Sequence, residues 1–260
     1  MSKRASSLTI AILVLSVCAA ARAEDGSQKP FFGVSAGVKG GVGGNYLSDP
    51  DHAPAYSAPF DDGAGGVGGG GGIALEFRAL WGHLGLELDT LFEGNKNWCN
   101  IEWTNNGFRL KTDWIYHYQT VRLPLLLEGS VENSLVRGSL GIGPEFVIGT
   151  KTSTDVVITD GSNAQTEALV AAWKDGFDAR KQTDTLLCVG VGLAFKVWKL
   201  DITLDVRYAY DAGQPKSFDD RERVTTSTQT GYGSVSAIAS STMDLRLLLG
   251  IAYDVRFGDF

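Results

Sequence analysis

The side chains that could carry chemistry in this 260-residue sequence are three histidines and a large set of charged residues. Nucleophilic or acid–base catalysis would need a histidine close to a serine or a carboxylate, and no Ser–His–Asp set with a defined spacing is present. His83 borders a predicted turn and His117 lies between two tyrosines, so structural roles are favoured for both. The sequence therefore predicts that the protein is not an enzyme.

Metal and cofactor chemistry is equally poorly supported by the residue spacing. His52 lies among the acidic residues of segment 49–62, which could hold a divalent cation. Solvated loop acidity explains such clusters more often, so no metal and no cofactor are predicted. Cys99 and Cys188 lack the spacing of a zinc site, and both a disulfide and two free thiols are compatible with their positions.

The charged residues recur at every second position of long segments whose other positions are apolar. Residues 200–211 and 243–257 show this alternation most strictly. A period of two predicts extended strands with one apolar and one polar face. Eight such strands are predicted, near residues 31–46, 68–79, 83–93, 112–128, 135–150, 183–197, 200–211 and 242–257.

The connections between these strands alternate in length. Connections one, three, five and seven are long, whereas the other three have only a few residues. The second and third long loops are predicted at 94–111 and 151–182, with a short helix at 166–179 in the third. This pattern predicts an all-β fold, an eight-stranded antiparallel up-and-down barrel. A hairpin within 212–236 would raise the count to ten strands, which stays open.

The two faces of the strands could serve either a soluble lipocalin-like barrel or a transmembrane barrel. The polar face is rich in glycine, and the strands exceed the length that a small soluble barrel needs. Aromatic residues gather near both strand ends, which is typical of membrane girdles: Phe32, Phe77, Trp81, Trp198 and Phe257 at the turn end, and Tyr46, Trp114, Tyr116, Tyr118, Tyr208 and Tyr210 at the loop end. These features favour the transmembrane barrel.

The first 23 residues have the pattern of a secretion signal. A positive start is followed by the short apolar core 8–20 and by Ala21-Arg22-Ala23, a typical cleavage site. We expect a cleaved signal peptide at 1–23 and a single barrel domain at 24–260. Acidic residues number 30 against 23 basic ones, which argues against nucleic acid as a partner.

Two local patterns resemble the small bacterial outer-membrane β-barrel family, the OmpA/OmpX-type barrel domains and their porin-like relatives. They are the strand 121–127, of sequence VRLPLLL, and the alternating carboxyl-terminal strand. The resemblance implies a Gram-negative outer membrane, with its lipids and lipopolysaccharide, and a sorting signal read by the barrel assembly machinery. Tyr253, Phe257 and Phe260 are the candidates for that signal, although residues 258–260 fall out of phase with the strand.

The polar face is predicted to fill the barrel lumen with charge. Its members are Lys39, Glu76, Arg78, Glu87, Asp89, Arg122, Arg137, Glu145, Asp201, Asp205, Arg207, Asp244, Arg246, Asp254 and Arg256. An eight-stranded barrel is just wide enough for side chains to fill, and unpaired buried charges are costly. A plug of paired charges is expected. The alternatives are a narrow ion or small-solute pore, a soluble barrel for a small apolar ligand, and a barrel enzyme acting on lipid.

Surface recognition is the remaining functional class. Four aromatic residues lie in predicted external loops, where contact with water requires only polar side chains: Trp98, Trp103, Trp173 and Phe177. Binding residues are often carried by loops on a rigid scaffold. These side chains could pack loop against loop or lie at the headgroup boundary, and they are the candidates for contact with an extracellular ligand of unknown identity.

Overall fold

The computed structural model describes residues 32–48, 64–105, 108–178, 183–210 and 241–257. The predicted signal peptide, the acidic segment around His52, the possible hairpin at 212–236 and Phe260 lie outside the described residues. No helix among the described residues is long and apolar enough to cross a membrane.

Eight strands close into one barrel in chain order, and each pairs antiparallel with its neighbours. The first and last strands complete the ring, with Phe32 opposite Phe257 and Ser48 opposite Ser241. The fold class predicted from the period of two is thereby confirmed. The strands are β1 Phe32–Ser48, β2 Ala64–Ala79, β3 Leu84–Asn105, β4 Phe108–Glu132, β5 Val136–Asp160, β6 Thr183–Val197, β7 Leu200–Tyr210 and β8 Ser241–Phe257.

Strict alternation sets which side chains face outward. Val38 pairs with Ile73 on one side and with Ile251 on the other, and all three are more than half exposed. Asp89 and Glu145, by contrast, are completely buried inside the ring. A closed barrel that exposes its apolar side chains and buries its charges has the polarity of a membrane-spanning barrel rather than a soluble one.

The short connections are tight turns with unusual backbone angles. Leu80 and Trp81 in the β2–β3 turn have φ values of 52° and 59°, and Trp198 in the β6–β7 turn has a φ of 61°. Positive φ is rarely adopted by bulky residues. The β4–β5 turn is different, since the side chain of Asn133 accepts hydrogen bonds from the backbone of Leu135 and Val136.

The second and third long connections differ from the predicted loops. Segment 94–111 forms the paired ends of β3 and β4, which extend up to the pair Asn105–Phe108. β5 likewise continues to Asp160 before helix α1, Ala164–Asp178, begins. The prediction of loops was wrong there because polar composition does not end a strand whose backbone groups pair outside the membrane. The predicted helix is confirmed within a few residues.

The outer aromatic girdle was also wrongly predicted on β4. Trp114 and Tyr116 are buried, and the hydroxyl of Tyr118 accepts a hydrogen bond from Asn45 Nδ2 at 2.7 Å. These three residues share the phase of the inward-facing Arg122, so alternation directs them inside. Proximity to a strand end does not determine the face; the parity of the residue number along the strand does.

The glycine run of β2 allows neighbouring backbones to approach closely. A Cβ atom on Gly70 would lie 1.9 Å from the carbonyl oxygen of Phe92, and one on Gly72 would lie 1.8 Å from that of Thr90. No other residue type fits at such distances without a backbone shift. This part of the wall therefore depends on glycine.

Candidate functional site: the charged lumen and the external sheet

The fifteen predicted lumen residues all lie at inward-facing positions of the barrel. Their ion pairs fall into three clusters, which we call upper, middle and lower, with the lower cluster nearest the short turns. Basic groups in each cluster contact more than one carboxylate, so the clusters are networks rather than isolated pairs.

The middle cluster joins strands β1, β3 and β7. Lys39 Nζ lies 2.6 Å from Asp205 Oδ2 and also contacts Glu87. Arg207 Nη2 lies 2.8 Å from Glu87 Oε1 and 2.7 Å from Asp89 Oδ2. These five side chains are largely buried, so the charges interact with little screening by water.

The upper cluster is centred on Arg122, whose side chain is 2% exposed. Its Nε lies 2.6 Å from Glu93, and its Nη1 lies 2.7 Å from Glu145 and 2.6 Å from Asp244. Arg246 also contacts Glu145. Two guanidinium groups are thus surrounded by three carboxylates contributed by β3, β5 and β8.

The lower cluster closes the lumen near the turns. Arg78 Nη2 lies 2.8 Å from Asp254 and 3.6 Å from Asp201. Arg137 contacts Glu76 and lies 3.6 Å from the same Asp201 oxygen. Each arginine therefore bridges strands that are not neighbours in the ring, which ties opposite walls together.

An ion-paired rim lies below the lower cluster. Glu132 contacts Lys196 and lies 2.8 Å from Arg256 Nη1. Arg256 Nε lies 2.7 Å from Asp254 Oδ2, which connects the rim to the lower cluster. The side chain of Arg256 is one-third exposed, so this arginine meets solvent at the barrel end.

Four lumen residues were missed in the sequence prediction. Glu93 continues the inward series of Glu87 on β3, and Lys196 has the inward phase of β6. Glu128 and Glu132 continue the inward series of β4. Glu93, Glu128 and Lys196 lie inside the predicted strands, so applying the parity to every charged residue there would have identified them. Glu132 lies beyond the predicted end of the fourth strand.

The lumen is not uniformly charged. An apolar cluster faces inward on the β4 to β7 side, formed by Leu126, Val147, Leu186, Cys188 and Ala209. Cys188 is a free, buried thiol, whereas the side chain of Cys99 lies outside the described residues. The apolar cluster fills space that water would otherwise occupy beside the upper cluster.

The described residues enclose at least two small cavities within the lumen. The first is bordered by the upper cluster and by glycines of β1 and β2. The second lies between the middle and lower clusters and is lined by Glu76, Glu87, Glu128, Arg137 and Thr203, among others. Lys39 and Asp205 of the middle cluster also line this second cavity.

The long strand ends carry a sheet beyond the ring. The β2–β3 ladder ends at Trp98 and the β5–β6 ladder begins at Ile148, yet β3, β4 and β5 remain paired beyond those residues. We call this projecting part, residues 99–105, 108–118 and 151–160 with helix α1, the external sheet. Helix α1 contacts β5, and its Val170 is buried.

The outward side of this region bears mixed apolar and charged groups. Trp98 is 43% exposed, and Lys96 Nζ lies 5.5 Å from the centre of its ring. His117 Nε2 lies 3.2 Å from Asp155 Oδ2. Of the other predicted recognition residues, Trp103 belongs to β3 and both Trp173 and Phe177 belong to α1; their side chains lie outside the described residues.

The remaining histidine has a structural environment. His83 Nδ1 lies 3.1 Å from the carbonyl oxygen of Ser130, and its own carbonyl accepts a hydrogen bond from the Ser130 amide. Among the described residues, no group of three or more histidine, cysteine or acidic side chains is arranged to hold a metal ion.

The end of β8 carries two of the three residues that the sequence predicts for a sorting signal. Tyr253 and Phe257 both face outward and are 43% and 54% exposed. Phe257 is the last described residue and pairs with Phe32 of β1. The aromatic series therefore keeps the apolar-face register through the closing strand.

Comparisons with known proteins give distant likenesses. No protein-family model matches the chain, and no curated protein matches it. Among solved structures, it is similar to neisserial surface protein A at 13% identity, covering 85% of this chain and 96% of that one with a TM-score of 0.34. It is also similar to Ail of Yersinia pestis, solved with the heparin analogue sucrose octasulfate, at 12% identity, covering 85% of this chain and 99% of that one with a TM-score of 0.28.

The amino-terminal β-barrel domain of Pseudomonas aeruginosa OprF gives 10% identity, 85% and 97% coverage and a TM-score of 0.30. At these values the likenesses carry no conclusion about what this chain does. Its own geometry is more informative: a closed up-and-down barrel with an apolar exterior, a charged interior and short turns at one end has the architecture of a transmembrane barrel of the outer-membrane type.

Proposed function

We propose that this protein is an outer-membrane barrel with a closed lumen that serves a structural or surface-recognition role through its external sheet. The observation that carries the proposal is the burial of Arg122 and Arg207, each of which contacts three carboxylates with 1–2% of its side chain exposed. Moving a solute through the lumen would require these contacts to break in a medium of low dielectric constant.

The length of β4 and β5 supports the display role. Each has 25 residues, whereas a tilted strand needs about 9–11 to cross a bilayer. The excess forms the external sheet, which is continuous with the barrel wall and is thereby held rigidly. Lipids and lipopolysaccharide are the expected neighbours of its base, and an extracellular ligand the expected partner of its outward side.

A narrow ion or small-solute pore is the second candidate. The two lumen cavities favour it, because charged side chains of the clusters line both of them. Conductance separates the two candidates.

Cysteine labelling on intact cells tests the display role. Lys151→Cys places a thiol on the external part of β5, and Lys199→Cys places one in the β6–β7 turn; both positions are exposed. Each is made with Cys99 and Cys188 replaced by serine. A membrane-impermeant maleimide should label Lys151→Cys on intact cells and Lys199→Cys only after the outer membrane is permeabilised. The opposite pattern would refute the display role.

A further inference from the structure

Glu128 is a buried lumen acid that faces another carboxyl group. Glu87 lies on the adjacent strand β3 at a position diagonal to Glu128, since Glu87 pairs with Leu126 and Gly85 pairs with Glu128. Both side chains line the same cavity, and Glu128 is 7% exposed. Glu87 has two bases, Lys39 and Arg207. No basic group of the described residues forms an ion pair with Glu128.

The surroundings of Glu128 contain more acids than bases. It lines the cavity between the middle and lower clusters. Thr203 lines the same cavity, is 8% exposed, and its hydroxyl has no hydrogen-bond partner. The charged groups that face the cavity from the other strands are Lys39 of β1, Glu76 of β2, Glu87 of β3, Arg137 of β5 and Asp205 of β7.

Two ionised carboxylates cannot form a hydrogen bond with each other, because both are acceptors only. In a buried site their repulsion is also strong. One of the two must therefore carry a proton. Glu87 is stabilised as an anion by Lys39 and Arg207, so the proton belongs on Glu128, whose hydroxyl then donates to the Glu87 carboxylate.

We propose that Glu128 is protonated in the folded barrel and that its hydrogen bond to Glu87 latches β3 to β4, making the stability of the barrel dependent on pH. The proposal rests on the closed lumen described above, since a water-filled lumen would solvate both carboxylates. Loss of the proton would add a second negative charge beside a cavity that already has an acidic excess.

The direction of the pH effect follows from proton counting. An exposed glutamate of the unfolded chain loses its proton at about pH 4.3. Above that pH, folding takes up one proton at Glu128, so stability falls as the pH rises, until the folded state also releases it. The slope contributed by one proton is about tenfold per pH unit in the unfolding equilibrium constant.

Urea unfolding in phospholipid vesicles between pH 5 and pH 9 tests the latch. Glu128→Gln keeps a hydrogen-bond donor but cannot titrate, so its stability should fall less steeply with pH than that of the wild type. Glu132→Gln is the matched control, because this inward acid of the same strand is paired with Lys196 and Arg256 and should keep the wild-type slope. Equal slopes for the wild type and Glu128→Gln would overturn the proposal.

Infrared spectroscopy gives a second readout that does not depend on reversible unfolding. At neutral pH the C=O stretching band of a protonated carboxylic acid should be present in the wild type and in Glu132→Gln, and absent from Glu128→Gln. Absence of the band from the wild type would overturn the proposal. Stabilisation of that protein by sodium or magnesium chloride would then indicate that a bound cation, rather than a proton, neutralises the two carboxylates. Steady conductance from a wild type that still shows the band would contradict the closed lumen and would support the protonated Glu128.

Discussion

At the scale of single residues, the lumen is organised by arginines that each serve several carboxylates. Arg122 is the clearest case, because Glu93, Glu145 and Asp244 belong to three different strands. Removing one partner of a buried ionic network leaves the others uncompensated, which costs far more than the network itself contributes. The same substitution at an exposed pair costs little.

Arg122→Met should therefore lower the free energy of unfolding by about 3–5 kcal/mol. Arg256→Met, at the one-third exposed rim position, should cost no more than about 1 kcal/mol. Equilibrium urea unfolding in vesicles measures both. Similar losses at the two sites would mean that Arg122 is solvated and that the lumen is open.

Leu204 tests whether the outward face of the barrel contacts the bilayer. This residue pairs with Leu193 and Leu249 near the middle of β7. Leu204→Arg should destabilise the protein by about 2–4 kcal/mol if that face meets the bilayer midplane. Thr203→Ala is the control, since its buried hydroxyl has no hydrogen-bond partner. Comparable effects at both positions in vesicle unfolding would show that the faces are wrongly assigned.

At the scale of elements, the period of two predicted all eight strands, because lipid outside and charge inside impose alternation on every crossing strand. It could not predict where β3, β4 and β5 end. Beyond the membrane no solvent boundary enforces the pattern, so backbone pairing alone continues the strands to Asn105 and Asp160. The sequence also could not predict which charged residues share a cluster. The contact between Arg122 and Asp244 depends on the strand register around the closed ring.

The carboxyl-terminal strand carries the sorting hypothesis. Phe257 continues the outward register of Tyr253, whereas residues 258–260 break the phase of the sequence. Phe257→Ala should therefore reduce the outer-membrane yield strongly, and deletion of 258–260 should reduce it little. Fractionation of cells expressing each variant in one strain measures both yields. A normal yield for Phe257→Ala, or a precursor stranded by the deletion, would favour recognition of Phe260 instead.

At the scale of the whole molecule, the proposed function combines a closed lumen with the external sheet. The three clusters and the rim connect opposite walls at successive levels of the lumen, and an apolar cluster fills part of the remaining space. Among the described side chains, several ion pairs would have to open together to leave a continuous aqueous path. This arrangement supports the proposed role at the outer surface over transport through the barrel.

Single-molecule conductance in planar lipid bilayers tests this closed interior most directly. The wild-type protein should insert without producing stepwise, long-lived current, because the ion-paired clusters fill successive levels of the lumen. Steady open channels from the wild type, at neutral pH and moderate salt, would contradict the closed lumen.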